Sequence, residues 1–200
     1  MPQRLSFKER EWQRREQEIL AEAARLIREQ GFVNLKMDEL AEVVGISKPT
    51  LYQHFKSKDD LIAHVMVRGL QELYSHADSL AQLSPLEQLQ GILRMMLIKR
   101  YQPDSMLQGV NQEVFVAINN QHPQFIEQRE AVNQRVQTLV VQAQAQGQID
   151  PVLSPELVAG LLFMLMGLPQ YSGPPPADSP QLTAVMDQVI VLFTRALRPS

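Results

Sequence analysis

Helix start and stop signals recur along this 200-residue chain and constrain its fold more than any other feature. Ser84, Ser154 and Ser179 each precede a proline. A serine caps a helix, and a proline fits the first turn, where its missing N–H costs little. Gly31 and Gly45 follow apolar stripes of helical period, as helix-ending glycines do. Since no long window alternates β-branched and polar residues, the sequence predicts an all-α fold.

These signals divide the chain into about nine helices. In the second of them, Leu40, Val43 and Val44 are expected to face inward. A serine at 57 and an acid at 60 predict a capping box at the start of the fourth helix. The predicted helices cover residues 8–30, 37–44, 47–55, 58–80, 85–101, 105–119, 123–147, 155–168 and 180–197.

Several classes of protein fit the sequence poorly. The chain has no cysteine, which excludes disulfides and thiolate metal sites. Its longest apolar run, residues 157–168, is far shorter than the roughly 20 residues that span a bilayer, so we expect no membrane segment. The charged start, "MPQRLSFKEREWQRREQ", does not resemble a secretory signal. The expected location is the cytoplasm.

An enzymatic role is also disfavoured. The four histidines, at 54, 64, 76 and 122, include no pair at the i, i+4 spacing of a helical zinc site. Phosphate-binding loops, dinucleotide-binding glycines and a nucleophile elbow are missing from the sequence as well. We therefore expect no catalytic residues, no metal and no cofactor.

The stretch "VVGISKPTLYQHFKSK", residues 43–58, carries three lysines and no carboxylate in a chain of net charge −3. It joins two short helices through a turn that contains Gly45, which is the pattern of a helix-turn-helix. A helix that enters the major groove passes between two phosphate chains, where a carboxylate would be repelled. The local loss of acids therefore indicates DNA binding. The lysines alone would better fit a solvated surface, but the turn, the cap and the order of the aromatic residues favour DNA binding. The alternative function is a helical module that binds proteins.

The segment "MDELAEVVGISKPTLYQHFKSKDDL", preceded by "GF" at 31–32, resembles the DNA-binding domain of the tetracycline-repressor (TetR) family. The resemblance covers about residues 19–61. It implies that residues 47–54 form the recognition helix, with Lys48 reading guanine and Lys58 holding the DNA backbone. The DNA-contacting residues that it implies are Lys36, Ser47, Lys48, Pro49, Thr50, Tyr52, His54 and Lys58.

Two positions depart from the family pattern. Lys36 stands where members often have a capping serine or threonine; it can meet a phosphate but cannot cap the helix. Asp38 follows where some members read a base, and here it is expected to interact with the positive end of the second helix. The basic cluster from Arg4 to Arg15 fits backbone contacts and a frayed, solvated end equally well.

For the rest of the chain, the resemblance implies a homodimeric repressor that a small lipophilic effector releases from a palindromic operator. Residues 1–60 would be the DNA-binding domain, with the fourth helix linking from 58, and residues 61–200 the helical effector-binding and dimerisation domain. The candidate dimer residues are Leu161, Leu165, Val189 and Phe193. The candidate effector-pocket residues are Met66, Met96, Tyr101, Gln112, Phe115, Phe163 and Met166, for which ordinary core packing is the alternative.

Overall fold

The computed structural model describes residues 6–101, 112–165 and 180–199. Every regular element in these ranges is an α-helix, so the all-α prediction is confirmed. The described residues form nine helices, the number that the sequence predicts. They are α1 (Phe7–Gln30), α2 (Met37–Val44), α3 (Lys48–His54), α4 (Lys58–Ser79), α5 (Pro85–Tyr101), α6 (Gln112–Gln121), α7 (Pro123–Ala145), α8 (Pro155–Leu165) and α9 (Pro180–Ala196).

Local capping explains where these helices begin and end. Ser6 and Glu9 form a reciprocal capping box at the start of α1, and Gly31 ends that helix with φ +81°. The predicted cap of α5 is confirmed, because the Ser84 hydroxyl accepts the Glu87 N–H and the Glu87 carboxylate accepts the Ser84 N–H. Each cap satisfies amides that have no partner within the helix.

The chain divides into two compact units. The first contains residues 1–68 and 106–126, and the second contains residues 69–105 and 127–200. Each unit has buried apolar side chains of its own. The functional boundary predicted between residues 60 and 61 stays a prediction.

In the first unit, α2 packs against both α1 and α3. The side chains that fill its interior come from all these helices and from the start of α4. Seven of them are completely inaccessible to solvent: Ile19, Ala23, Leu40, Leu51, Phe55, Leu61 and Ala63. This interior fixes which side of α3 is left to solvent.

The structure differs from the sequence prediction in several details, including helix ends that shift by one or two residues. Val43 is 45% exposed rather than inward, because the buried face of α2 follows Met37, Leu40 and Ala41 at helical spacing, and Val43 lies about 100° away from that face. The sixth helix continues to Gln121, two residues beyond its predicted end. Its predicted beginning at residue 105 lies outside the described residues.

In the second unit, α5 packs against α9 around one continuous apolar core. Val189 and Phe193 belong to that core, with 9% and 2% of their surface exposed. Within the described ranges, no helix is both long and apolar enough to cross a membrane.

Candidate nucleic-acid interface

The turn between α2 and α3 is built by glycine and serine. Gly45 adopts a left-handed conformation, φ +73° and ψ 35°, in which the N–H of Ile46 reaches the carbonyl of Ala41 at 2.9 Å. A Cβ at this position would be strained, and glycine has none. Ser47 then caps α3 by accepting the Thr50 N–H at 3.2 Å, as the sequence predicts. Because Gly45 and Ser47 fix the two ends of the turn, the orientation of α3 relative to α2 is fixed as well.

Helix α3 has one buried face and one solvent face. Leu51 and Phe55, four residues apart, are both 0% exposed, which confirms that they anchor the helix. Tyr52 is 40% exposed, and the Lys48 side chain is 55% exposed. Pro49 and Gln53 are exposed too. The outer face of α3 is therefore polar, free of carboxylates and exposed to solvent.

Lys48 is already paired with an acid in the DNA-free protein. Its Nζ lies 2.7 Å from Oδ1 of Asp38, which belongs to the first turn of α2. The hydrogen bond and charge of Asp38 raise the pKa of Lys48, so the ammonium stays charged. Asp38 lies in the first turn of α2, where an interaction with the positive end of the helix stays a prediction, and it competes with any anion for Lys48.

Lys58, the first residue of α4, is held against the loop that precedes α2. Its Nζ donates to the carbonyl of Val33 at 3.0 Å and lies 4.5 Å from the centroid of the Phe32 ring. Burial lowers the pKa of this lysine, an effect that the charge of Asp59 partly opposes. An ammonium has three donors, so two of those on Lys58 remain for a phosphate.

His54, at the end of α3, stacks on Trp12 of α1, the single tryptophan of the chain. The ring centroids are 3.8 Å apart and the planes are inclined by 25°. The Nδ1 atom of His54 is buried and has no hydrogen-bond partner among the residues that the structure describes. Burial lowers the pKa of this imidazole below its ordinary value of 6.5, more than the charge of Glu16 raises it. His54 is therefore neutral at physiological pH.

We expect this partly buried histidine to make the stability of the protein depend on pH. Since His54 binds its proton less tightly when folded than when unfolded, the unfolded state gains protons first as pH falls through 6.5, and stability drops. Urea unfolding at about pH 7.5 and about pH 5.5 measures the loss. His54→Gln should lose less stability between these pH values than the unchanged protein. His76→Gln removes a different imidazole and is the matched control; equal losses in His54→Gln and His76→Gln would contradict the assignment.

The other predicted residues are placed as follows. Lys36 is exposed and makes no capping hydrogen bond through its side chain, which confirms that it cannot cap α2. Ser47 is exposed, but its hydroxyl oxygen already accepts an amide and lies 2.8 Å from the hydroxyl of Thr50. The contacts of all these side chains with DNA stay predictions.

The structure places only some of the predicted effector and dimer residues. Met66 is buried in the first unit, whereas Met96 is buried and Phe163 half-buried in the second. Leu161 and Leu165 are half-buried, but Val189 and Phe193 are enclosed by their own chain and offer a second copy little surface. The apolar side chains left exposed on α8 and α9 are Leu157, Met164, Val185, Val191 and Leu192. The described residues do not include Met166, nor the side chains of Tyr101, Gln112 and Phe115.

Sequence reasoning missed one cluster in the first unit. The carboxylate of Asp60 and one ring nitrogen each of His64 and His122 lie within 4.8 Å of one another. The pattern of two histidines at i, i+4 does not detect this cluster, because the i, i+4 pair on α4 is an aspartate and a histidine. His122 joins them from the junction of α6 and α7, which no sequence spacing indicates.

Comparisons with known proteins agree with this geometry. The family model described as "Bacterial regulatory proteins, tetR family" matches residues 19–65. The uncharacterized HTH-type transcriptional regulator YvaF of Bacillus subtilis (strain 168) is 34% identical over 79 residues, which are 40% of this chain and 41% of YvaF. The chain thus spans less than half the length of the curated relatives that it matches.

Solved structures extend the likeness to nearly the whole fold. The ketosteroid transcriptional regulator KstR2 of Mycobacterium tuberculosis superposes with a TM-score of 0.63 at 20% identity, over 93% of this chain and 96% of KstR2. AibR in complex with isovaleryl coenzyme A and operator DNA gives a TM-score of 0.59 at 20% identity, over 89% and 97% of the two chains. At this identity the two structures show a shared fold.

Proposed function

Since the chain belongs to the tetR family of bacterial regulatory proteins through its helix-turn-helix domain, we propose that it is a homodimeric, ligand-responsive repressor of transcription in the cytoplasm. It binds a palindromic operator, and a small lipophilic effector releases it. The observation that carries the proposal is the solvent face of α3, which presents Lys48 and Tyr52 without a carboxylate and is held from behind by Leu51 and Phe55.

The chemistry of this face suits duplex DNA. Lys48 can donate to O6 or N7 of guanine, and the methyl group of Thr50 can contact that of thymine. Tyr52 and the free donors of Lys58 can reach phosphates, which position the protein without reading sequence. His54 is neutral, so it would contribute a hydrogen bond and no charge. The affinity should therefore fall steeply as salt is added.

Dimerisation is supported by apolar side chains that the single chain does not cover. On α8, Leu157 and Met164 are 60% and 69% exposed; on α9, Val185 and Leu192 are 42% and 66% exposed. In each helix the pair is seven residues apart, so it lies on one stripe. Such stripes are costly in water, and an isologous contact between two copies would cover both. A two-fold dimer also presents two α3 helices to a palindromic site.

Two proteins of similar fold support the proposed small-molecule effector. KstR2 is named as a ketosteroid regulator, and AibR was solved with isovaleryl coenzyme A and operator DNA. A lipophilic effector is consistent with the predicted lining, which includes Met96 and Phe163, because methionine and phenylalanine adapt to apolar ligands. By linkage, an effector that weakens DNA binding must itself bind the DNA complex more weakly by the same factor.

The test is to select bound duplexes from a random oligonucleotide pool and to titrate the recovered site at several salt concentrations. Lys48→Ala should weaken binding and relax the base preference at one position of each half-site, since a lost bidentate or single base contact costs about 1–3 kcal/mol. Recovered sites should be palindromic. No enrichment, or binding that neither salt nor Lys48→Ala affects, would favour the protein-binding module instead.

The ion pair between Asp38 and Lys48 leads to a second expectation. Asp38→Asn should raise DNA affinity by about fivefold, because Lys48 no longer leaves an acid to reach DNA and one repulsive charge is gone. Fold stability should change little, since exposed ion pairs contribute little. Glu42→Gln removes the same charge from the exposed part of α2 and is the control. If both variants gain equally in fluorescence-anisotropy titrations, the gain comes from net charge and not from the pair.

A further inference from the structure

The cluster of Asp60, His64 and His122 joins the first two turns of α4 to the junction of α6 and α7 within the first unit. Asp60 Oδ1 lies 3.4 Å from His64 Nδ1 and 3.5 Å from His122 Nε2, and the two imidazoles meet edge to face with centroids 5.1 Å apart. We propose that Asp60, His64 and His122 form a binding site for a divalent transition-metal cation of the zinc class.

The distances fit such an ion. Ligand atoms at about 2.0–2.1 Å from a tetrahedral cation lie about 3.4 Å from one another. Asp60 Oδ1 has this separation from both imidazoles, so small side-chain movements would bring all three groups to bonding distance. Two imidazoles and one carboxylate suit zinc, copper, nickel and cobalt and are a poor set for magnesium or calcium, which prefer oxygen. Three protein ligands leave the fourth position to water.

The cluster is also held in place by neighbouring groups. The second carboxylate oxygen of Asp60 accepts the Lys56 N–H at 2.8 Å, which leaves Oδ1 directed at the histidines. Such an outer contact to a ligand carboxylate fixes ligand geometry in metal sites. The three side chains are 24%, 21% and 18% exposed in chain order, so an ion can enter from solvent.

Two existing contacts oppose metal binding. His64 Nδ1 donates to the main-chain carbonyl of Asp60 at 2.8 Å, so a metal at Nδ1 must displace this proton and end the hydrogen bond. The Phe125 N–H donates to Nδ1 of His122, so in the metal-free protein the proton of this ring is on Nε2. A metal at Nε2 moves that proton to Nδ1 and ends the contact. At 3.4 Å the hydrogen bond is long and weak, so its loss costs less than a metal–imidazole bond provides.

A bound cation would act on the segment that carries α3. Asp60 is tied to the main chain of Lys56, which follows Phe55, and the Phe55 ring packs edge to face on His64 with centroids 5.3 Å apart. The cation would therefore fix the connection between α3 and α4 to His122. Its binding requires no DNA, so the metal site and the proposed repressor function can fail independently.

The test uses the full chain without a histidine tag, treated with a chelator and titrated with zinc chloride by calorimetry. We expect one zinc per chain. Asp60→Asn, His64→Gln and His122→Gln should each weaken binding by at least about 100-fold, since even outer-shell changes cost 10- to 100-fold. His76→Gln keeps the three proposed ligands and should bind like the unchanged protein.

Cobalt provides a second readout, because its visible absorption is intense in a tetrahedral site and weak in an octahedral one. Circular dichroism of each metal-free variant shows whether it has folded, and a folded variant that fails to bind zinc supports the site. Equal zinc affinity in His64→Gln, His122→Gln and the unchanged chain would overturn the proposal. Binding that only His76→Gln removes would overturn it as well.

Discussion

Phe55→Ala should lower the free energy of unfolding by about 3–5 kcal/mol, the usual cost of removing a buried phenyl ring. Phe55 is 0% exposed and immediately follows α3, and its ring contacts His64 of α4. Deleting the ring leaves a cavity between the recognition helix and the helix that follows it. Because α3 loses one of its two anchors, DNA binding should be lost together with stability.

Tyr52→Ala is the matched control for this change. Tyr52 is an aromatic residue of α3 but is 40% exposed, whereas Leu51 and Phe55 are fully buried. Its removal should cost less than about 1 kcal/mol of stability, since little surface is buried. Urea denaturation followed by circular dichroism measures both variants, with the midpoint reporting stability when the slope is unchanged. A loss below 1 kcal/mol in Phe55→Ala would show that α3 is anchored otherwise.

Leu192→Asp should raise the dissociation constant of the proposed dimer by about 1000-fold. Leu192 of α9 is 66% exposed in the single chain, although a leucine prefers burial. An aspartate there would place an unpaired carboxylate in the interface, at a cost of ~2 kcal/mol or more per copy. A two-fold dimer contains the change twice, and ~4 kcal/mol corresponds to about 1000-fold. Binding to a palindromic duplex should weaken in parallel.

Val152→Asp is the control, because Val152 is 82% exposed but lies in the connection between α7 and α8. Sedimentation equilibrium over a range of protein concentrations distinguishes the two variants. We expect Val152→Asp to remain dimeric and Leu192→Asp to be monomeric at the same concentration. An unchanged dimer in Leu192→Asp would place the interface elsewhere on the chain, and a monomeric unchanged protein would remove the dimer from the proposed function.

Helix boundaries were predictable because their causes are local. The Ser47 hydroxyl accepts the amide hydrogen of Thr50, and the Glu87 carboxylate accepts that of Ser84. In both caps the residues that predict the helix start lie within one turn of the amide that they satisfy. Only one half of the capping box predicted at Ser57 is formed. Ser57 accepts the Asp60 N–H, but the Asp60 carboxylate accepts the N–H of Lys56. Periodicity also identified Leu51 and Phe55 correctly as buried, since a helix repeats every 3.6 residues wherever it packs.

The inward face of a helix was harder to predict where apolar residues surround it. Val43 was expected inside and is exposed, while Val189 and Phe193 were expected at a dimer surface and are enclosed by their own chain. An apolar residue favours burial, but its hydropathy does not say which neighbour will cover it. On α8 and α9, which have apolar residues on most sides, only the packing with other helices distinguishes core from exposed stripe.

The sequence by itself determined an all-helical chain with a capped, carboxylate-free recognition helix, because capping and helical periodicity operate within a few residues. Only the tertiary structure decided that Asp38 binds Lys48, that Trp12 stacks on His54, and that His122 reaches Asp60 and His64. These contacts join helices whose crossing angles and distances result from the packing of many side chains at once. No local pattern encodes such packing, so the chemistry of the interface and of the proposed metal site became visible only in the folded chain.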